Sequence, residues 1–164
     1  MSDQGGDAAE TDAQETARAV AEAMIGKCGF SQLLGMEIVE TGPDFAIVGM
    51  TLGARHLNGF GIAHGGALFA LADTAFAHAC NSENIVTVAQ QCQVNFLKPG
   101  KDGDRLTATA GARTRSGRTG LYDVTIATDE GIVIAEFRGM SRTLSDPVIP
   151  PSAEPESNPD QTRP

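Results

Sequence analysis

The sequence predicts an α+β domain in which one helix is enclosed by a long antiparallel sheet. Three observations predict it. Residues 66–80 contain no proline and no glycine after Gly66, are rich in Ala and Leu, and are apolar on nearly every side; that is the pattern of a buried helix. Four strand-like segments follow, separated by short polar turns, and such turns join antiparallel neighbours. The 164 residues with 41% apolar content fit one core, and hence one domain with tails to spare.

Residues 1–10 are rich in Asp, Gly and Ala and read as disordered. From Asp12 to Ile25, Ala alternates with Glu, Arg and Met at helical spacing, with Thr11 or Asp12 as cap and Gly26 as stop. A helical turn is expected over Phe30–Leu34. Strands follow at Met36–Thr41 and Phe45–Leu52, joined by the turn Gly42-Pro43-Asp44. Gly53, Asn58, Gly59 and Gly61 make 53–64 a loop. The buried helix ends at Asn81-Ser82-Glu83-Asn84. The four later strands are Val86–Phe96, Arg105–Thr114, Tyr122–Thr128 and Ile132–Thr143, and their order suggests a meander. Beyond Leu144 the chain holds six of its eight prolines and reads as a disordered tail. The expected organisation is an extension over 1–29, a domain over 30–144 and a tail over 145–164.

The net charge of −9 sits mainly in the ends: residues 1–30 carry six acids against two bases, and 145–164 four against one. This favours solubility over a cationic partner. With one Tyr and no Trp, nucleic-acid binding is not indicated. No run of 18 apolar residues exists to span a membrane, and the acidic N-terminus lacks the apolar region of a signal peptide. Cys28, Cys80 and Cys92 show no metal-ligand spacing and read as reduced, mostly buried thiols of a cytoplasmic protein. Lys98, Lys101, Arg105, Arg113, Arg115 and Arg118 form a locally basic stretch, offset by Asp102 and Asp104. It is either a solvated surface or a phosphate contact.

The chemistry concentrates in His64-Gly65-Gly66 and Asp73. From Gly65 to Ala77, Asp73 is the only charged residue. A carboxylate in so apolar a helix is costly unless it has partners or a task. Glycines at the helix head offer bare N–H groups where the dipole is positive. An acid and an oxyanion site on one element suit acyl transfer. Read singly, Asp73 is also compatible with a buried structural acid, His64 with a loop cap, and Asn58 with a turn residue. His56 and His78 read as structural.

His56-Leu57-Asn58-Gly59, His64-Gly65-Gly66, Leu71-Ala72-Asp73-Thr74-Ala75-Phe76-Ala77 and Ala79-Cys80-Asn81-Ser82 together closely resemble the phenylacetate-degradation thioesterases, the PaaI type of hotdog-fold acyl-CoA hydrolase. Phe96-Leu97-Lys98-Pro99-Gly100, Gly103-Asp104, Thr119-Gly120-Leu121-Tyr122-Asp123 and Phe137-Arg138-Gly139 extend the match, which covers roughly residues 30–144. The resemblance implies a sheet wrapped around a central helix, hydrolysis of a coenzyme A thioester without a cofactor, and a homodimer paired into a homotetramer. It implies Asp73 as the catalytic carboxylate, Gly65 as the N–H that polarises the carbonyl, and Asn58 and His64 as supporting polar residues. Lys98, Arg113, Arg115 and Arg118 become candidate contacts to the coenzyme A phosphates. The acyl group it implies is aromatic, such as phenylacetyl or hydroxyphenylacetyl.

Helix geometry adds a constraint. Eight residues at 1.5 Å each separate Gly65 from Asp73 by roughly 12 Å. If both act, Gly65 of one chain must face Asp73 of another. Three alternatives stand beside this reading. One is a thioesterase for medium-chain or varied acyl groups; another is a non-catalytic acyl-CoA-binding module. The third is a hotdog enoyl-CoA hydratase, which uses a similar Asp-to-His spacing to that of Asp73 and His78. Against it, five residues rotate about 140° around a helix, and no proline lies between the two.

Overall fold

The computed structural model describes residues 4–151, with the side chains of 9–151. Helix α1 (Gln4–Lys27) and the short α2 (Gly29–Leu33) precede strands β1 (Glu37–Gly42) and β2 (Phe45–Thr51). A 3-10 turn at Ala54–His56 leads to α3 (Gly65–Cys80). Strands β3 (Ile85–Phe96), β4 (Arg105–Ser116), β5 (Thr119–Thr128) and β6 (Val133–Pro147) complete one six-stranded sheet with every pair antiparallel. The α+β arrangement of one central helix against one wrapped sheet is therefore the expected one.

The period-two pattern of the strands builds the inner face. Ala46, Val48 and Met50 of β2, Leu106, Ala108 and Ala110 of β4, and Tyr122, Val124 and Ile126 of β5 are buried, while the residues between them point outward. Leu68, Leu71, Ala72, Ala75, Phe76 and Ala79 of α3 pack on that face. Alanines on both sides allow close approach. Phe76 lies over Gly139, where a Cβ would come within 2.9 Å of its ring, and stacks obliquely on Tyr122 and Phe137. Burying a side chain of this size contributes about 1.5–3 kcal/mol.

The sheet order is β1-β2-β4-β5-β6-β3 rather than a meander after α3. Strand β3 stands at one edge, beside β6, and the chain crosses back to place β4 next to β2. The crossing segment is too long for a tight hairpin and is fastened to β2 instead. Leu52 N–H donates to Asp104 O, Gly103 N–H to Leu52 O, and Ala63 N–H to Gly100 O. A Cβ at Gly100 would meet Leu52 at 2.8 Å, so glycine permits the crossing chain to lie flat.

Four further differences from the sequence reading have local causes. Helix α1 begins at Gln4, not near Asp12, so residues 4–10 are helical. Ala17, Val20 and Ala21 are buried at helical spacing, α1 packs on β1, and Gln14 Nε2 donates to Thr41 O at 2.5 Å. Strand β6 runs to Pro147, and the segment after it is held by Asn84. Asn84 Oδ1 accepts from Ile149 N–H, its Nδ2 donates to Ile149 O, and its O accepts from Val148 N–H. Residues 145–151 are thus part of the fold; the disorder expected for 1–3 and 152–164 lies outside the described residues. Cys28 is exposed rather than buried, because it caps α2 by accepting from Ser31. Finally, α3 is not covered all round: Phe69, Asp73, Thr74 and Ala77 form an open stripe.

Candidate active site

Helix α3 begins at Gly65 because His64 caps it. His64 Nδ1 accepts from Gly66 N–H at 2.8 Å, and His64 O accepts from Ala67 and Leu68 N–H. His64 N–H in turn donates to His56 O. The N–H groups at a helix head lack intrahelical acceptors, and here only that of Gly65 is left unclaimed among the described residues. The space beside it is tight: a Cβ there would lie 3.1 Å from the Phe96 ring at the end of β3, so the ring would have to shift. One unclaimed N–H at the positive end of a 16-residue helix is an arrangement that suits a developing negative charge.

The loop before α3 is built by Asn58. Its Oδ1 accepts from Phe60 N–H at 2.9 Å and Ile62 N–H at 3.4 Å, and Asn58 N–H donates to Ile62 O. Its Nδ2 has no acceptor among the described residues and remains a free donor. His56 anchors the same loop with both ring nitrogens, accepting from Gly53 N–H at 2.9 Å and meeting Leu34 O at 3.0 Å. It is structural, as its sequence context suggested.

Asp73 lies on the open stripe of α3, half-buried, and accepts no hydrogen bond from any described residue. Burial alone raises its pKa above the ordinary aspartate value. It borders two clefts of about 370 and 360 Å³. The first lies between α3 and the start of β3, bordered by Cys80, Val86, Val88 and Val148. The second lies under α1 and α2, bordered by Met24, Cys28, Phe30, Ser31, Phe69 and His78. Met24 borders both. The Cys80 thiol is pushed up to about 12 by burial, which leaves it neutral and inert.

Sequence reasoning did not find this roof of α1 and α2 over Asp73, because nothing in an Ala-rich amphipathic helix says where it docks. Nor did it find Phe96 against Gly65. It set His78 aside as structural and directed its side chain away from Asp73, yet both residues border the second cleft.

The basic stretch, continuous in sequence, is divided in space. Lys98, Lys101 and Arg105 lie at the end of the sheet where β4 begins. Arg113, Arg115 and Arg118 lie at the other end, some eight or more residues along β4, or roughly 25–30 Å at 3.4 Å per residue. Arg115 is committed inside the chain, to Glu83 at 2.5 and 2.8 Å and to Asp44 at 3.1 Å. Arg113 meets Asp123 at 3.3 Å, and Arg118 Nε donates to Thr143 O. The Lys98 side chain has no partner among the described residues and follows Phe96 by two positions.

A family model described as the thioesterase superfamily matches residues 60–135. The chain is 45% identical over 124 residues to the acyl-coenzyme A thioesterase PaaI of Escherichia coli, covering 76% of this chain and 89% of that protein. Its structure superposes on that of the E. coli PaaI protein from the phenylacetic acid degradation operon with a TM-score of 0.80 and 42% identity, over 82% of this chain and 97% of the other. A thioesterase protein of Streptococcus pneumoniae, solved with coenzyme A, matches with a TM-score of 0.66 at 28% identity, over 68% and 90%.

Proposed function

The chain belongs to the thioesterase superfamily, as a hotdog-fold relative of the PaaI acyl-CoA thioesterases, and from that premise we propose which of its residues carry the reaction and on which acyl groups. It is a hydrolase of acyl-CoA thioesters, linked to phenylacetate degradation. The observation that carries the residue assignment is a pair of groups on one helix without a partner among the described residues: the Asp73 carboxylate and, at the helix head, the N–H of Gly65.

The thioester oxygen docks on Gly65 N–H, which holds the negative charge that develops as the carbonyl carbon becomes tetrahedral. Asp73 supplies the attack, either by removing a proton from water or by adding to the carbon itself. The C–S bond then breaks and the thiolate of coenzyme A takes up a proton; in the first route water has already supplied the oxygen of the acid, and in the second water opens the mixed anhydride between the acyl group and Asp73, freeing both. Under single turnover in heavy-oxygen water, label enters Asp73 only by direct attack. Asn58 Nδ2 orients the carbonyl or the water, and His64 fixes the donor by occupying its neighbour.

The site is shared between two copies. The roughly 12 Å between Gly65 and Asp73 along α3 separates them too far for one carbon. Gly65 sits beside Phe96 on β3, the edge strand whose outer side is unpaired. Antiparallel addition of a second β3 extends the sheet and brings the partner's α3 alongside. It also sets Lys98 of one copy at the same end as Arg113 and Arg118 of the other, which makes a divided basic stretch continuous again for the phosphates of coenzyme A. The Arg115 guanidinium is already occupied and does not join them. Pairing of such dimers gives the tetramer, and the protein works in the cytoplasm; among the described residues no helix is long and apolar enough to cross a membrane.

The substrates are aromatic acyl-CoA thioesters such as phenylacetyl-CoA and its ring-hydroxylated forms. Release of free thiol from phenylacetyl, hydroxyphenylacetyl, benzoyl, hexanoyl and decanoyl thioesters tests this. The expected ranking by kcat/KM has the arylacetyl thioesters first; a ranking led by decanoyl-CoA reassigns the acyl class, and no thiol release from any of them removes the enzyme reading.

A further inference from the structure

The two clefts that meet at Asp73 have different linings. In the one between α3 and the start of β3, every polar side chain other than Asp73 is already matched within the chain. Asn81 Nδ2 donates to Ala77 O at 2.8 Å and to Thr87 O at 2.9 Å, and its Oδ1 accepts from Thr87 N–H at 2.8 Å. Thr87 Oγ1 donates to Ile85 O at 3.0 Å, and the Cys80 thiol donates to Ala77 O at 3.5 Å. What is left for a ligand is the hydrocarbon of Phe76, Val86, Val88 and Val148, with one carboxylate beside it. The cleft under α1 and α2 presents Cys28, Ser31 and Thr74 among its walls instead. An apolar acyl group is matched better by the first.

That cleft also has a length and an end. It follows α3 from Asp73 to Cys80, seven residues or roughly 10 Å along the axis. An arylacetyl or hexanoyl group fits within this span, and an extended decanoyl chain overruns it. Past Cys80 the chain turns through residues 81–84 into β3, and Val148 lies against that turn. Asn84 fastens it there. With φ +60°, a left-handed conformation that Asn adopts more readily than most residues, Asn84 accepts through its O from Val148 N–H at 3.3 Å. Its side chain accepts from Ile149 N–H at 2.8 Å and donates to Ile149 O at 3.2 Å. Pro147 faces Ile85, the first residue of β3. The 147–149 segment is therefore tied to the α3–β3 connection, at the far end of the cleft from Asp73.

We propose that this cleft is the acyl subsite and that Val148, fastened by Asn84, is its end wall, a specificity-determining residue that sets how long an acyl group the enzyme accepts. The inference rests on the acyl-CoA thioesterase reading and deepens it. Arylacetyl and short acyl groups are accommodated whole, and longer chains are refused by contact with Val148 rather than by the chemistry at Asp73. Asn84 touches no substrate and acts through Val148, as a positioning residue. A packed wall discriminates by size, since one methylene in an apolar pocket changes kcat/KM by about 10–200-fold.

The test is the ratio of kcat/KM for decanoyl-CoA over hexanoyl-CoA, measured on the full-length protein. Val148→Ala shortens the wall and should raise the ratio about tenfold. Val148→Leu reaches further in, and hexanoyl-CoA should lose several-fold against butanoyl-CoA. Asn84→Gly keeps the left-handed turn but removes both side-chain bonds to Ile149, and should raise the decanoyl ratio as Val148→Ala does. Asn84→Asp keeps the acceptor for Ile149 N–H and should hold the ratio nearer that of the wild type. Each ratio is read on one preparation, so loss of folded enzyme cancels. A wild type that prefers decanoyl-CoA overturns the proposal without any variant, as does a ratio unmoved in Val148→Ala. A ratio that moves only in Phe30→Ala also overturns it, by placing the acyl group in the second cleft. A shift in Val148→Ala with none in Asn84→Gly overturns the role of Asn84. Failure of the parent reading is separate: the wild type then releases no thiol from any thioester, and this proposal falls with it.

Discussion

Asp44 and Asp73 are carboxylates at opposite ends of a contrast. Asp44, in the turn between β1 and β2, has φ +56°, a left-handed conformation that Asp tolerates better than most residues. Every polar group it offers is engaged. Its N–H donates to Ser82 Oγ at 2.8 Å, its O accepts from Ala112 N–H, Oδ1 accepts from Tyr122 OH at 2.7 Å, and Arg115 reaches both carboxylate oxygens. Burial, then Asp44, pushes the Tyr122 phenol up, and hydrogen bonding to Arg115 holds Glu83 below its usual value. This cluster ties the β1–β2 turn, the end of α3 and β5 together. Asp73 has no such company. A saturated polar cluster specifies a fold, because each member fixes another; an unsatisfied carboxylate keeps its bonding capacity for a ligand, which is the role proposed for Asp73.

The sharpest way to break this contrast is Asp73→Asn. Turnover should fall by on the order of 10²–10⁴ in kcat/KM, while the thermal midpoint at neutral pH stays or rises. The sign follows from the raised pKa of Asp73. Ionising a desolvated, unpartnered carboxylate destabilises the native state, so the wild type loses stability as pH rises through that pKa. The gain of the variant should therefore shrink on acidification. The acid limb of the wild-type kcat/KM profile should lie above the pH of an ordinary aspartate. Near-normal turnover in the variant would sink the catalytic assignment.

Gly65→Pro comes next. The first position of a helix accepts proline, whose missing N–H is unbonded there anyway, so the substitution removes the unclaimed N–H at the head of α3 and displaces the Phe96 ring. The expected loss is on the order of 10²–10³ in kcat. Co-expression with Asp73→Asn then sharpens the result. In a shared arrangement the mixed dimer has one site with both defects and one with neither, and activity returns to as much as half. Sites contained within one chain would leave every mixed dimer inactive.

The smallest effect belongs to the saturated cluster. Tyr122→Phe removes a hydrogen bond to a charged group and should cost about 1.5–3 kcal/mol of stability in chemical denaturation, with kcat changed less than twofold. A large loss of kcat at unchanged stability would erase the distinction between the two carboxylates.

Much of this was legible in the residues. The span of α3, the Asp73 carboxylate and the Gly65 head follow from a single charge in an Ala-rich run and from glycine next to a capping histidine. The strand segments follow from their alternation. The placement of β3 at the sheet edge did not, because each strand declares its own period but not its neighbour, and the choice was made by Leu52 binding the crossing segment. The end of β6 was hidden by proline content, which Asn84 overrides with three hydrogen bonds to 148–149. The unmatched ring of His78 was hidden because a histidine in an apolar helix looks the same whether its nitrogens find partners among the described residues or not.

The free side of β3 has a consequence beyond catalysis. It is a 12-residue edge with Val88 44% and Phe96 53% exposed. Such an edge is a template for any extended chain it meets. A substitution that weakens the pairing of two copies should thus yield aggregated rather than monomeric protein. If two copies pair there as proposed, association also covers this edge, and the soluble fraction should rise with the strength of that pairing.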